Sequence, residues 1–405
     1  MVFKEQAFTK SIYAIFFAVF FGGYYFSVIS GSEHSSLLRI IIAVGILFFL
    51  LLHVKDVGSI TFFKIDSFLK AIFFIYIAYL LTLSFFYEDW KSIRRVLYIL
   101  LMVFFIFSYS KDLNLKIDKI VAFVPFLAAF IGVAYLYSYY TVNGFQIIYK
   151  NSAISSTQFG FLDDYGNPII AGLHLCFLVP FCLWSYFNIK NKAMSCFYYI
   201  SIMLILFAIF LTFARTAWLA SIISVSVFLI YAVFDKKIKK IIFLVSPFVV
   251  AAGYYLFYFI GYDLQRGVTY RDQIWIEFIE SISGLQQWMF GLGLNQALDF
   301  VKLPGGSVAI HPHSIYIETL YLTGLVGLFL MCAVLFVSIY KLFKNIWLDQ
   351  NVLWLSVLTS LAFSMFFDFY NLVTSPNIMW LWFWLPISMS LGCSRDPDSF
   401  KQSKI

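Results

Sequence analysis

The chain has 405 residues, of which 62% are hydrophobic, 21% aromatic and only 12% charged. A water-soluble domain carries about a quarter of its residues as charges, so this composition excludes a soluble globule and predicts an all-α protein whose main solvent is lipid. The net charge of +7 does not point to nucleic acid, because Lys and Arg are scattered through short connections and never line one helix face.

Apolar stretches near the spanning length of about twenty residues fall at 9–29, 36–54, 67–87, 94–110, 118–139, 168–188, 194–213, 215–234, 240–260, 313–340, 351–370 and 375–393. They predict about twelve transmembrane helices in one domain spanning 1–405. The first stretch lacks a small-residue cleavage site and is expected to stay as a helix. An even count places both termini on one side, and about nineteen Lys and Arg residues fall on that side against about nine opposite, which makes it cytoplasmic.

Two longer segments then lie on the outer face, 140–167 and 261–312. Within the second, Ile274, Trp275, Phe278, Ile279 and Ile282 repeat at three- and four-residue spacing opposite Asp272, Gln273, Glu277 and Glu280. That pattern predicts an amphipathic helix, ended near Gly284 and followed by a Gly291-Leu292-Gly293 turn. Aromatic residues elsewhere are expected to face acyl chains and headgroups of the surrounding lipids.

A charge at bilayer depth costs about 2.5–3.5 kcal/mol on insertion scales and needs a reason. Arg215 stands alone between two apolar runs, with no other charge from Lys192 to Asp235. It reads either as an arginine reaching the headgroups from a tight turn or as an anion ligand, since a guanidinium offers a fork of donors to phosphate oxygens. Arg266 and Arg271 share its face, and Arg271 opens the amphipathic helix, where free N–H groups favour anions. Each could equally pair with lipid phosphate.

His311 and His313 precede the tenth predicted helix. Imidazole, with an ordinary pKa near about 6.5, can accept a proton at neutral pH. No zinc site is expected, because no HExxH pattern or third ligand accompanies them. The five Cys show no CxxC spacing and read as small core residues. Asp163, Asp164 and Asn167 either bind Mg²⁺ or form a capping turn before a helix. There is no P-loop, dinucleotide turn or serine nucleophile elbow, so no cofactor is expected and the energy of any reaction must arrive in its substrate.

The residues resemble the bacterial O-antigen ligase family, whose membrane fold is shared with O-antigen polymerases. The carrying motif is His313-Ser314, nine residues, then Gly324 and Gly327. Upstream, TFARTAWLA is similar to the family's membrane arginine segment, and YRDQIWIEFIESISGLQQWMFGLGLNQ to its arginine, tryptophan and glycine pattern. The ordered blocks cover about residues 160–330. The resemblance implies a metal-independent, inverting glycosyltransferase of the bacterial inner membrane. Its donor would be an undecaprenyl diphosphate-linked glycan and its acceptor the lipid A-core, met on the periplasmic face. His313 would activate the acceptor hydroxyl, and Arg215 and Arg271 would hold the diphosphate.

A polymerase that extends the same lipid-linked donor is the nearest alternative. A transporter of lipid-linked glycan is a third reading, and it predicts broken helices and mid-membrane charges in matching halves. The gathering of polar residues on one face favours surface chemistry over transport.

Overall fold

The computed structural model describes residues 31–52, 67–112, 123–144, 167–234, 270–296, 301–302, 308–309, 311–346, 349–368, 371–377 and 379–392, with residues 11, 15–17 and 19 before them. The expected span 240–260, most of 9–29, and the candidates Arg266, Asp163 and Asp164 lie outside the described residues.

The chain forms α1 (Gly31–Leu52), α2 (Phe68–Phe86), α3 (Trp90–Asp112), α4 (Val124–Asn143), α5 (Pro168–Asn188), α6 (Lys192–Thr212) and α7 (Arg215–Phe234). Two short helices follow, α8 (Arg271–Glu280) and α9 (Gly284–Phe290), then α10 (Ile315–Lys344), α11 (Asp349–Ser364) and α12 (Leu385–Gly392). A two-residue antiparallel ladder, β1 (Val301–Lys302) with β2 (Val308–Ala309), pairs Val301 with Ala309. Among the described residues, six helices, α2, α4, α5, α6, α7 and α10, are long and apolar enough to cross a membrane. The protein is a polytopic helical membrane protein.

Helix starts follow caps written in the sequence. Asn167 accepts from Ile169 N at 2.9 Å ahead of Pro168, and Asn191 accepts from Ala193 N and Met194 N. Asn167 is therefore a helix cap.

Three expectations about the helices need correction, the third of them in α10. The stretch 375–393 is not one regular helix: residues 371–377 are irregular, and a wide turn over Trp380–Trp384 precedes the eight-residue α12. Pro386 has no N–H to donate, and the ladder shifts register just before it, Leu385 N bonding to Trp380 O. The amphipathic helix stops at Glu280, and Gly284, at φ +75, does not end it but opens α9.

α5 is the central helix, with 89% of its spanning window buried. It packs against α6 and α7, and α7 packs against α11. Lipid supplies no hydrophobic drive for helix association, so close approach and polar contacts decide these pairings. A Cβ on Gly172 of α5 would lie 2.9 Å from the Cβ atoms of Ala214 and Ala217, so only glycine allows that approach. Ser224 of α7 and Ser360 of α11 share a hydrogen bond of 2.6 Å.

The same contacts fix direction. Phe187 stacks on Phe228 with ring centres 5.9 Å apart, so α5 and α7 run parallel from the Gly172–Ala214 crossing. Phe181 meets Trp354 edge-on, while Cys176 shares a small cavity with Ser360 and Ser364, so α11 runs the opposite way. The end of α11 therefore lies where α5 and α7 begin.

α10 was expected to be one continuous span. It breaks at Gly324 (φ +67, ψ −174) into two limbs. The break leaves carbonyls near it without intrahelical donors, and neighbours supply them. Leu292 N donates to Tyr321 O at 3.1 Å and Gly293 N to Leu322 O at 3.0 Å, while Tyr79 Oη of α2 donates to Thr323 O at 2.6 Å. Gly291 and Gly324 sit on opposite sides of this crossing. A Cβ on either would lie 2.3 Å from the other segment's backbone.

Candidate active site

The α6–α7 turn is built tightly. Phe213 takes a left-handed φ of +49, Thr212 Oγ1 accepts from Ala214 N at 3.2 Å, and Trp218 Nε1 donates back to Ile209 O at 2.9 Å. Arg215, half-buried, is thereby the first residue of α7, at the end where α11 finishes.

α8 buries Ile274 and Phe278 against Leu320 and Tyr321 of α10, and the Phe278 ring stands at 89° to that of Tyr321. Amphipathic periodicity thus serves packing on α10, which aims the opposite end of α8 at the histidines. Trp275 Nε1 donates to Pro312 O at 2.9 Å, gripping the peptide between the two histidines. Arg271, which opens α8 after Tyr270 (φ +58), donates through Nη2 to Asp368 Oδ1 at 2.8 Å.

His311 and His313 meet edge-on with ring centres 4.0 Å apart. His313 adopts φ +52, a conformation that non-glycine residues hold only when their surroundings enforce it. The restraints flank it: Trp275 on Pro312, and Ile315 N donating to Met365 O at 2.9 Å. Burial, reinforced by His311 and the Arg271 guanidinium, pushes the His313 imidazole down to about 4. Burial also lowers His311. The sequence-based value near 6.5 is therefore corrected downward, and His313 is neutral at pH 7.

His311, His313 and Arg271 are gathered in one place, and Arg215 lies on the same end of the bundle. The α2–α3 turn also reaches it, because Tyr87 Oη donates to Gly291 O at 2.7 Å.

Arg215, Arg271, His311 and His313 fall within the segment in which a family model finds its match. Residues 200–332 match the O-antigen ligase family. The resemblance read from the sequence stands over that stretch. The family comprises enzymes acting on lipid-linked glycans. No curated protein matches the chain.

Two carboxylates of the neighbourhood escaped the sequence reading. Asp368 is the sole charge between Asp349 and Arg395, and Glu318 the sole acid between Glu280 and Asp349 apart from Asp299. Isolation at membrane depth was the available signal. Within the matched segment the Gly-x-x-Gly pair has a mechanical meaning. Gly324 makes the break in α10, and a Cβ on Gly327 would collide with Thr323 Oγ1 at 2.1 Å, the hydroxyl that donates to Thr319 O.

Proposed function

We propose that the protein is an O-antigen ligase, transferring O-polysaccharide from undecaprenyl diphosphate to a hydroxyl of the lipid A-core without a metal ion. The observation that carries this reading is the convergence of a neutral, half-buried histidine with an arginine beside it, at the start of a helix whose glycine break matches the family pattern. In this reading the chain is one inner-membrane domain of about twelve spans with cytoplasmic termini, and 261–312 faces the periplasm.

The acceptor oxygen attacks the anomeric carbon as its proton passes to His313. The bond from that carbon to the diphosphate oxygen breaks, and the leaving group takes the electron pair, so the anomeric centre inverts. Arg271 and Arg215 stabilise the charge that develops on the diphosphate. Arg271 also links the two halves of the reaction. Its cation depresses His313, so a bound diphosphate offsets that cation and makes the imidazole a better base when the donor is in place.

The break in α10 bears on the transporter reading. Carbonyls freed by broken helices in transporters coordinate ions, whereas those of Tyr321, Leu322 and Thr323 already accept from protein donors.

The test is the lipopolysaccharide banding pattern of a deletion strain. Loss of the ladder while lipid-linked polymer accumulates is the expected result. A core carrying a single repeat would instead mark a polymerase.

A further inference from the structure

The first limb of α10 grips the end of α11 at several points. Ile315 N donates to Met365 O, Tyr316 Oη to Ala362 O at 2.9 Å, and Glu318 accepts from Asn371 N through Oε2. Glu318 is only 3% exposed. Asn371 is held at a left-handed φ of +54, its Oδ1 accepts from Val373 N at 3.0 Å, and Trp384 Nε1 fixes the next carbonyl, that of Leu372, at 3.0 Å. The carboxylate thus pins a strained turn just beyond Asp368, the residue that holds the Arg271 guanidinium.

The geometry points to Glu318 as a positioning residue for donor binding, acting through the Asn371 turn on Asp368 and so on Arg271. This rests on Arg271 being a donor ligand, as proposed above. The rival explanation is charge alone, a carboxylate in the first turn of a helix favoured by its dipole. Two conservative changes separate them. Glu318→Gln keeps the length and an acceptor oxygen for Asn371 N and loses the charge. Glu318→Asp keeps the charge and falls short of Asn371.

The experiment measures initial rates of purified full-length protein in detergent, varying undecaprenyl diphosphate-linked glycan and core acceptor separately. Glu318→Asp is expected to raise donor KM about tenfold, the equivalent of about 1.4 kcal/mol for a lost buried hydrogen bond. Acceptor KM should not change, and Glu318→Gln should stay within about twofold of the parent. In an Asp368→Asn background, Glu318→Asp should add no further rise, since both act on one guanidinium.

Parental donor KM in Glu318→Asp, or a Glu318→Gln as impaired as Glu318→Asp, overturns the inference, as does an additive cycle with Asp368→Asn. If Glu318→Asp does not accumulate, Glu318→Gln still decides between bond and charge. Arg271→Ala serves as the control. If it leaves donor KM unchanged, the donor-site reading fails and this inference with it. If it raises donor KM while Glu318→Asp does not, only the inference fails.

Discussion

Replacing Gly324 by Ala is expected to undo the joint that sets the first limb of α10. Gly324 occupies φ +67 and ψ −174, a region open almost only to glycine and costing other residues about 1–3 kcal/mol. The new Cβ would lie 2.3 Å from Met289 C and 2.4 Å from Phe290 N. These are backbone atoms with no rotamer to change, so relief requires moving the end of α9, a further cost of about 1–3 kcal/mol. Gly291→Ala meets Leu322 from the other side of the same crossing. Gly284 supplies the comparison, because it has φ +75 with nothing within 4 Å of its Cβ position, leaving left-handed strain alone at about 1–2 kcal/mol. Gly324→Ala and Gly291→Ala should each destabilise the protein by about 2–6 kcal/mol. The double variant should lose less than the sum, since one displacement relieves both clashes. Thermal unfolding in detergent followed by tryptophan fluorescence reads these differences. A Gly324→Ala protein that melts no lower than Gly284→Ala would refute the account of the joint.

Activity should respond to pH according to the half-buried His313 imidazole. For free enzyme, kcat/KM should hold down to acid and fall only as pH drops through about 4, where His313 gains its proton. Arg271→Ala removes one cause of that depression and should move the midpoint upward. A wild-type limb near pH 6.5, unmoved in Arg271→Ala, would count against a buried base. His313→Ala should abolish transfer while His311→Ala retains much of it, with donor binding intact in both; parental rates in His313→Ala at normal protein levels would remove its role. Arg215→Lys should accumulate normally yet lose most transfer, because an ammonium cannot match the guanidinium fork. Full activity in both Arg215→Lys and Arg215→Ala would reduce Arg215 to a headgroup anchor.

The six spans found among the described residues were legible because lipid imposes a local rule: every backbone group must be satisfied within its own helix, so length and apolar composition announce a crossing. Caps such as Asn167 and Asn191 marked where helices begin, since their side chains bond amides two or three residues away. Arg215, Arg271 and His313 stood out because a charge or imidazole at a membrane edge is conspicuous in one dimension. What the chain alone did not reveal depends on partners distant in sequence. The break at Gly324 is stable only because Leu292, Gly293 and Tyr79 cap the carbonyls it frees. Pro386 disturbs the last helix through a register shift that periodicity does not display. The pairing of Arg271 with Asp368 joins residues separated by 97 positions, and the low pKa of His313 follows from burial and, in lesser part, from the Arg271 cation that packing brings beside it. Local propensity and the hydrophobic pattern sufficed to expect Arg215, Arg271 and His313 at one end of the bundle. Their pairing and protonation were decided by tertiary structure, because hydrogen-bond partners and desolvation are properties of contacts made in three dimensions.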